Sequence, residues 1–181
     1  RQSTNNYKTP ATITRANRMT LSLQTLHELS TDSALSMLQA AKQKAEQLGI
    51  KVCISVVGPQ GITLASIRMN GAPLLSASLA EDKAYTAVSF NRATHEWDER
   101  LASQPKVQQA LGQRDRFTML GGGLPVNVPA ATSISSDTGY DSGSTGSLTA
   151  SSLLVGAVGV SGGAVHQDIE CAEAAIAALG I

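Results

Sequence analysis

Aromatic side chains are scarce in this chain: one Trp, three Tyr and two Phe among 181 residues, 3% of the total. A core made without them must be filled by Ala, Val, Leu and Ile, which suits close packing of helices on a sheet. The apolar content of 42% is enough for such a core. Neither sign of charge dominates, because 14 basic and 14 acidic residues cancel. That balance excludes the basic footprint of a nucleic-acid binder or an anionic-membrane binder. No apolar run reaches the ~18 residues of a membrane-spanning helix. Cysteine is equally sparse: Cys53 and Cys171 have no metal-ligand spacing to other cysteines or to paired histidines. They read as two inert buried thiols; a disulfide would need their two elements to lie side by side.

Length points to one domain. Residues 1–30 read as a polar arm that is disordered or docks on a neighbour, ending in a short helix over "LSLQTLHEL", and residues 31–181 as the domain proper. The chain opens at Arg1, which leads to an expectation of upstream processing and favours a periplasmic or secreted location over a cytoplasmic one. Ser30-Thr31-Asp32 supplies N-cap chemistry. Leu35, Leu38, Ala41, Ala45 and Leu48 then form the apolar face of a helix closed by Gly49. "IKVCISVV" and "ITLASIRM", joined by the turn "GPQG", predict a β-hairpin. A helix follows over 79–90, with Leu79, Lys83, Thr86, Ala87 and Phe90 on one side. Thr94 is placed to cap a short helix, and another starts near Gln104-Pro105. "RFTMLGGGLPV" predicts a short strand, a glycine corner and a proline. Residues 127–152 have no hydrophobic period and read as a Ser/Thr/Gly-rich insertion that is functional, interface-forming or mobile.

The stretch "LLVGAVGVSGGAVHQDIECAEAAIAAL" predicts a strand covered on both faces, a tight turn at Ser161-Gly162-Gly163, and a helix with Val165, Ile169, Ala172, Ile176 and Leu179 on one stripe. A helix opening after a glycine turn offers free N–H groups to a carboxylate or phosphate; otherwise the glycines serve packing alone. The order helix, hairpin, helices, strand, loop, strand, helix is α+β with a mainly antiparallel sheet.

No phosphate loop, dinucleotide fingerprint or nucleophile elbow is present. Lys83, on the apolar side of its helix, either snorkels to solvent or points into a pocket, and Thr86 would share that pocket. Asp168 either stabilises the start of the last helix or pairs with a lysine such as Lys83. The three histidines lack structural-zinc spacing. His27 reads as a distant ligand or an interface residue, His95 as part of an acidic helix start, and His166 as solvated or as a ligand at a subunit interface.

"LGIKVCISVVGPQGITLASIRMNGAPLLS", "AEDKAYTAVSF", "GGGLPV" and the final strand–turn–helix block together resemble the GlcG/HbpS family, which includes the C-terminal domain of PduO-type proteins. The matching motifs are Lys-Ala-x-Thr-Ala at 83–87 and Gly-Ala-x-Gly-Val-Ser-Gly-Gly at 156–163, followed by Gln167-Asp168; they span roughly residues 31–126 and 153–181. The resemblance implies a profilin-like α/β/α sandwich with a five-stranded antiparallel sheet, assembled as a homo-oligomer from dimer to octamer. It also implies heme or another tetrapyrrole, with iron, at a subunit interface. Its axial ligand is not fixed, so His27, His95 and His166 all stand as metal-ligand candidates. The expected cofactor-binding set is Lys83, Thr86, Gly121, Gly122, Pro125, Ser161, Gly162 and Gly163, with a propionate on the glycine-turn N–H groups and the lysine. The function expected is non-enzymatic heme binding or sensing. Its alternative is a small-molecule enzyme acting on a carboxylate or hydroxy acid around Lys83.

Overall fold

The computed structural model describes residues 23–130 and 152–181. Most of the polar arm and most of the Ser/Thr/Gly-rich insertion therefore lie outside the described residues. The ten-residue strand after the insertion organises the rest. It is β4, Ser152–Ser161, and it pairs antiparallel with β1 (Cys53–Val57) on one side and β3 (Gly123–Pro129) on the other. β2 (Thr63–Arg68) pairs antiparallel with β1, so the sheet order is β2-β1-β4-β3. The hairpin reading of 50–69 holds, with Gly58 and Gly61 in its turn.

Among the described residues the sheet has four strands, not the five that the resemblance implied. The strand expected before the glycine corner is also displaced. Residues 117–122 form no strand, and β3 runs from Gly123 through Pro129, into what read as insertion. Two prolines are tolerated in β3 because it is an edge strand, where a missing N–H faces no partner.

Helices cover both faces. α1 (Thr31–Gln47) and α5 (Val165–Ala177) enclose the larger core with Val52, Ile54, Val56, Val126, Val158 and Val160. α2 (Ser76–Phe90) covers the other face against Val57 and Ala157. This is why β1 is buried at every position instead of alternating. The α1 N-cap is Ser30, whose hydroxyl accepts from Ser33 N at 3.1 Å. The buried stripe of α1 is Ala34, Met37, Leu38, Ala41 and Ala45, with Leu48 packed against it; Leu38, Ala41 and Ala45 are where the period put them, but Leu35 is exposed and Ala34 and Met37 take its place. The α5 stripe is rotated likewise: Asp168, Cys171, Ala172 and Ala175 are buried and Val165 is half exposed.

Three shorter pieces follow α2: a 3₁₀ turn (Thr94–Glu96), α3 (Trp97–Leu101) and α4 (Pro105–Gly112). α4 begins at Pro105 as expected, since a proline at the first helical position loses no intrahelical bond. Thr94 does not cap its own turn. Its hydroxyl is fully buried and accepts from Gly123 N at 2.9 Å, which ties the 3₁₀ turn to the start of β3.

Residues 23–30 form no helix. Their leucines are spaced for one, but Leu29 N donates to Val155 O at 3.1 Å, a bond that needs extended backbone running beside β4. Val155 is the extra residue of a β-bulge: Val126 faces Gly156 and Asn127 faces Leu154.

Both cysteines are free and buried, Cys53 facing the α2 layer and Cys171 in the α1/α5 core. Burial pushes the Cys53 thiol up; it pushes the Cys171 thiol up to about 11, with the Asp168 carboxylate adding to the effect. A raised folded-state pKa favours the fold below the unfolded thiol's pKa and loses that contribution as pH climbs through the folded value. Wild type should therefore lose about 2 kcal/mol more than Cys171→Ala between pH 8 and 10.5. Urea midpoints of the two proteins at both pH values measure this, and parallel pH dependences would contradict it.

Candidate functional site

Two places in the fold bring the candidate residues together, and they differ in kind. The first is closed. α2 lies so near the sheet that Lys83 cannot reach solvent, and its side chain is only 2% exposed. The ammonium donates to Asp168 Oδ2 at 2.8 Å and to Val160 O at 2.7 Å. Asp168, 3% exposed in the first turn of α5, uses its other oxygen to accept from Gly163 N at 2.9 Å. The Ala164 N–H, just before α5, donates to Gln167 Oε1 at 3.0 Å. Burial outweighs the stabilising Asp168 charge, so the Lys83 pKa lies below the ordinary lysine value.

The glycine corner closes over this pair. Gly122 accepts from Val160 N at 2.9 Å and has φ +109°; a Cβ there would meet Asp168 Cβ at 2.8 Å and Lys83 Nζ at 3.1 Å. Gly121 sits against His95, Val165 and Ile169. Ser161 is the last residue of β4, buried and paired with Cys53, while Gly162 and Gly163 turn the chain into α5. The anion seat read from this turn is thus filled by the chain's own carboxylate. Of the two readings of Asp168, pairing with Lys83 is the one observed, and it caps the helix entry at the same time.

Thr86 does not share the surroundings of Lys83. Its hydroxyl donates to Arg116 O at 2.9 Å and accepts from Thr118 N at 3.0 Å, and it lines a separate cavity of about 260 Å³. Pro125 is half-buried within β3, opposite Ala157. The expected set of cofactor-binding residues therefore divides into an ion-pair lock, a strand position and a distinct cavity.

The second place is open. A cavity of about 550 Å³ lies where the extended 27–29 segment, the start of α1, the end of β3 and the start of β4 meet. Leu29, Val128, Pro129, Ala130, Leu153 and Val155 give it apolar walls, and His27, Glu28 and Ser33 supply its polar groups. Neither His95 nor His166 lines it; both are exposed on the surface. Among the described residues no three His, Cys, Asp or Glu side chains stand together as a metal centre. A heme iron makes a smaller demand, since the macrocycle supplies four ligands and the protein one or two. Nothing in the sequence marked this cavity, because its walls come from four segments and Val155 enters through the bulge.

A helix-covered antiparallel sheet with a Lys–Asp lock beneath a glycine corner defines the class of fold. The chain belongs to the HbpS-like family: the family model described as "Haem degrading protein HbpS-like" matches residues 29–138. It is 36% identical over 173 residues to the corrinoid adenosyltransferase PduO of Citrobacter freundii, covering 93% of this chain and 42% of that protein. The chain thus spans about two-fifths of the length of the PduO proteins it matches. Among solved structures it is similar to a PduOC:heme complex, with TM-score 0.64 and 30% identity, covering 83% of this chain and 94% of that one. It is also similar to the HbpS protein of Streptomyces reticuli in a double-mutant form, with TM-score 0.69 and 31% identity, covering 95% and 100% of the two chains.

Proposed function

We propose that this protein binds heme, as a carrier or sensor, in the cavity that holds His27, and that His27 supplies an axial ligand. The observation that carries the reading is the cavity itself: about 550 Å³, walled by aliphatic side chains, with one imidazole among its polar groups. That volume lies within the usual range for a cofactor site, and apolar walls with an imidazole among few polar groups suit a tetrapyrrole. Similarity to the PduOC:heme complex supports the choice of heme over other flat ligands of this size. When bound, the heme would supply an iron centre; the chain would supply the imidazole and an aliphatic wall.

The lock at Lys83 has a structural part in this reading. Its ammonium and both Asp168 oxygens are engaged within the chain, which weighs against a carboxylate substrate turned over at that lysine. We further propose a homo-oligomer, on the exposed apolar surface at Leu74 and Leu75, 82% and 68% accessible in the single chain.

Hemin titration followed at the Soret band, with size-exclusion chromatography of the same sample, tests both parts. The expected result is a saturable, shifted band at fixed stoichiometry that co-elutes with an assembly larger than a monomer. An unshifted band at all ratios would overturn heme binding, and monomeric elution would overturn the assembly.

A further inference from the structure

The smaller cavity has no part in the heme reading, and it is built around an unusual backbone. Arg116 has φ +66°, a left-handed conformation that side-chain-bearing residues other than Asn and Asp seldom adopt. Thr86, 1% exposed, holds it there from both sides, donating to Arg116 O and accepting from Thr118 N. The guanidinium this presents is fixed at two points. Its carbon lies 3.9 Å from the centroid of the Tyr85 ring, and its Nε faces Asp82 Oδ1 at 3.4 Å. Among the described residues the two terminal nitrogens have no hydrogen-bond partner. Arg114, on the same cavity, has no acidic partner among the described residues either. Phe90, Phe117 and Leu111 line the same cavity, a space of about 260 Å³.

We infer that this cavity is a binding site for a small aromatic carboxylate, held by Arg116 and Arg114 at its carboxyl end and by Phe90, Phe117 and Leu111 around its ring. An arginine with both terminal nitrogens available matches a carboxylate in bidentate geometry, and a guanidinium immobilised on a ring loses little entropy in doing so. The volume falls just under the usual range for drug-sized ligands, which selects a single ring. Asp115 also lines the cavity, and Asp82 meets Arg116 only through Nε, so among the described residues the donors left to a ligand carboxylate are the terminal nitrogens of Arg116 and the guanidinium of Arg114. Backbone held in a costly conformation beside a cavity is a recurrent feature of ligand sites.

The fold contains its own reporter. Trp97, the chain's single tryptophan, is 4% exposed and packs edge-on against Phe90 and Phe117, with centroids 4.8 and 5.3 Å away. A ring entering the cavity touches the partners of Trp97 without touching Trp97.

Benzoate titration followed by Trp97 fluorescence and calorimetry tests the proposal, with benzamide as the neutral isostere and acetate as the ringless anion. Benzoate should saturate a fluorescence change, and both controls should bind at least tenfold more weakly. Arg116→Gly should fold, because glycine accepts φ +66° at no steric cost, and should weaken benzoate binding at least tenfold. Its hemin titration should match wild type, which separates this site from the one at His27. Absence of benzoate binding, equal binding of benzamide, or unaltered binding by a folded Arg116→Gly would each overturn the proposal.

Discussion

Lys83→Met should destabilise the protein by about 3–5 kcal/mol, the cost of leaving a buried charge without its counterion. The abandoned group is Asp168, 3% exposed, which would keep only its bond from Gly163 N at 2.9 Å. In a chain of this length such a loss should lower Tm by roughly 10 °C or more. The pair is not expected to be a large net source of stability. Burial pulls the lysine pKa down in spite of the adjacent carboxylate, so desolvation opposes much of the attraction. Replacing both partners, as Lys83→Met with Asp168→Leu, should therefore recover a substantial part of the loss, short of the helix-entry bond that Asp168 also makes. The double-mutant cycle read by urea denaturation decides the matter. A Lys83→Met protein within 1 kcal/mol of wild type would contradict the role of the lock.

Gly159→Ala is the second large effect, expected at about 3 kcal/mol or more. Gly159 lies near the C-terminal end of β4, against α2; a Cβ there would collide with the carbonyl oxygen of Ala80 and come within 2.6 Å of the Ala84 amide nitrogen. Both obstacles are helix backbone, which cannot swing aside as a side chain can, so relief requires moving α2 off the sheet. Gly112→Ala is the matched control. Gly112 ends α4 with nothing within 4 Å of its would-be Cβ and no positive φ, so alanine should stabilise by about 0.5–1 kcal/mol through helix propensity. Similar denaturation midpoints for the two variants would contradict the close approach of α2.

Gly159 also shows what could and could not be seen in the sequence. The glycine-interrupted apolar run Leu153–Val160 announced a strand covered on both faces, and the scarcity of aromatics announced close packing. Which helix lies against the glycines was not legible, because Ala80 and Ala84, the residues that meet Gly159, lie 79 and 75 positions before it. Local period put Lys83 on an inward face but extended that face to Leu79 and Phe90. The observed face runs through Ser76, Ala80, Lys83, Ala84 and Ala87, leaving Phe90 46% exposed. Small residues define the contact, and a hydrophobic period undercounts alanine.

The site was legible in pieces and not as an assembly. Ser161–Gly163 read as an anion seat or as a packing turn; in the fold Gly163 N is taken by Asp168, and a Cβ at Gly162 would meet Lys51 O at 2.5 Å. Thr86 shares a helix and a motif with Lys83, yet three residues on it lies roughly 60° round the helix and its hydroxyl meets the 116–118 backbone instead. His27 stood as one of three equivalent metal-ligand candidates, on an apparent helix. Its place in a cavity depends on a bulge at Val155 and on a hydrogen bond between residues 126 positions apart, features with no local signature.

If His27 ligates the iron of a heme held in that cavity, the absorption spectrum of the ferric heme complex must change in His27→Ala. That spectrum is measured beside wild type, before and after addition of free imidazole. The variant, still folded, should lose the wild-type Soret position and at least tenfold in hemin affinity, and imidazole should restore the spectrum. A variant whose spectrum and affinity match wild type would place the ligand elsewhere and contradict ligation by His27.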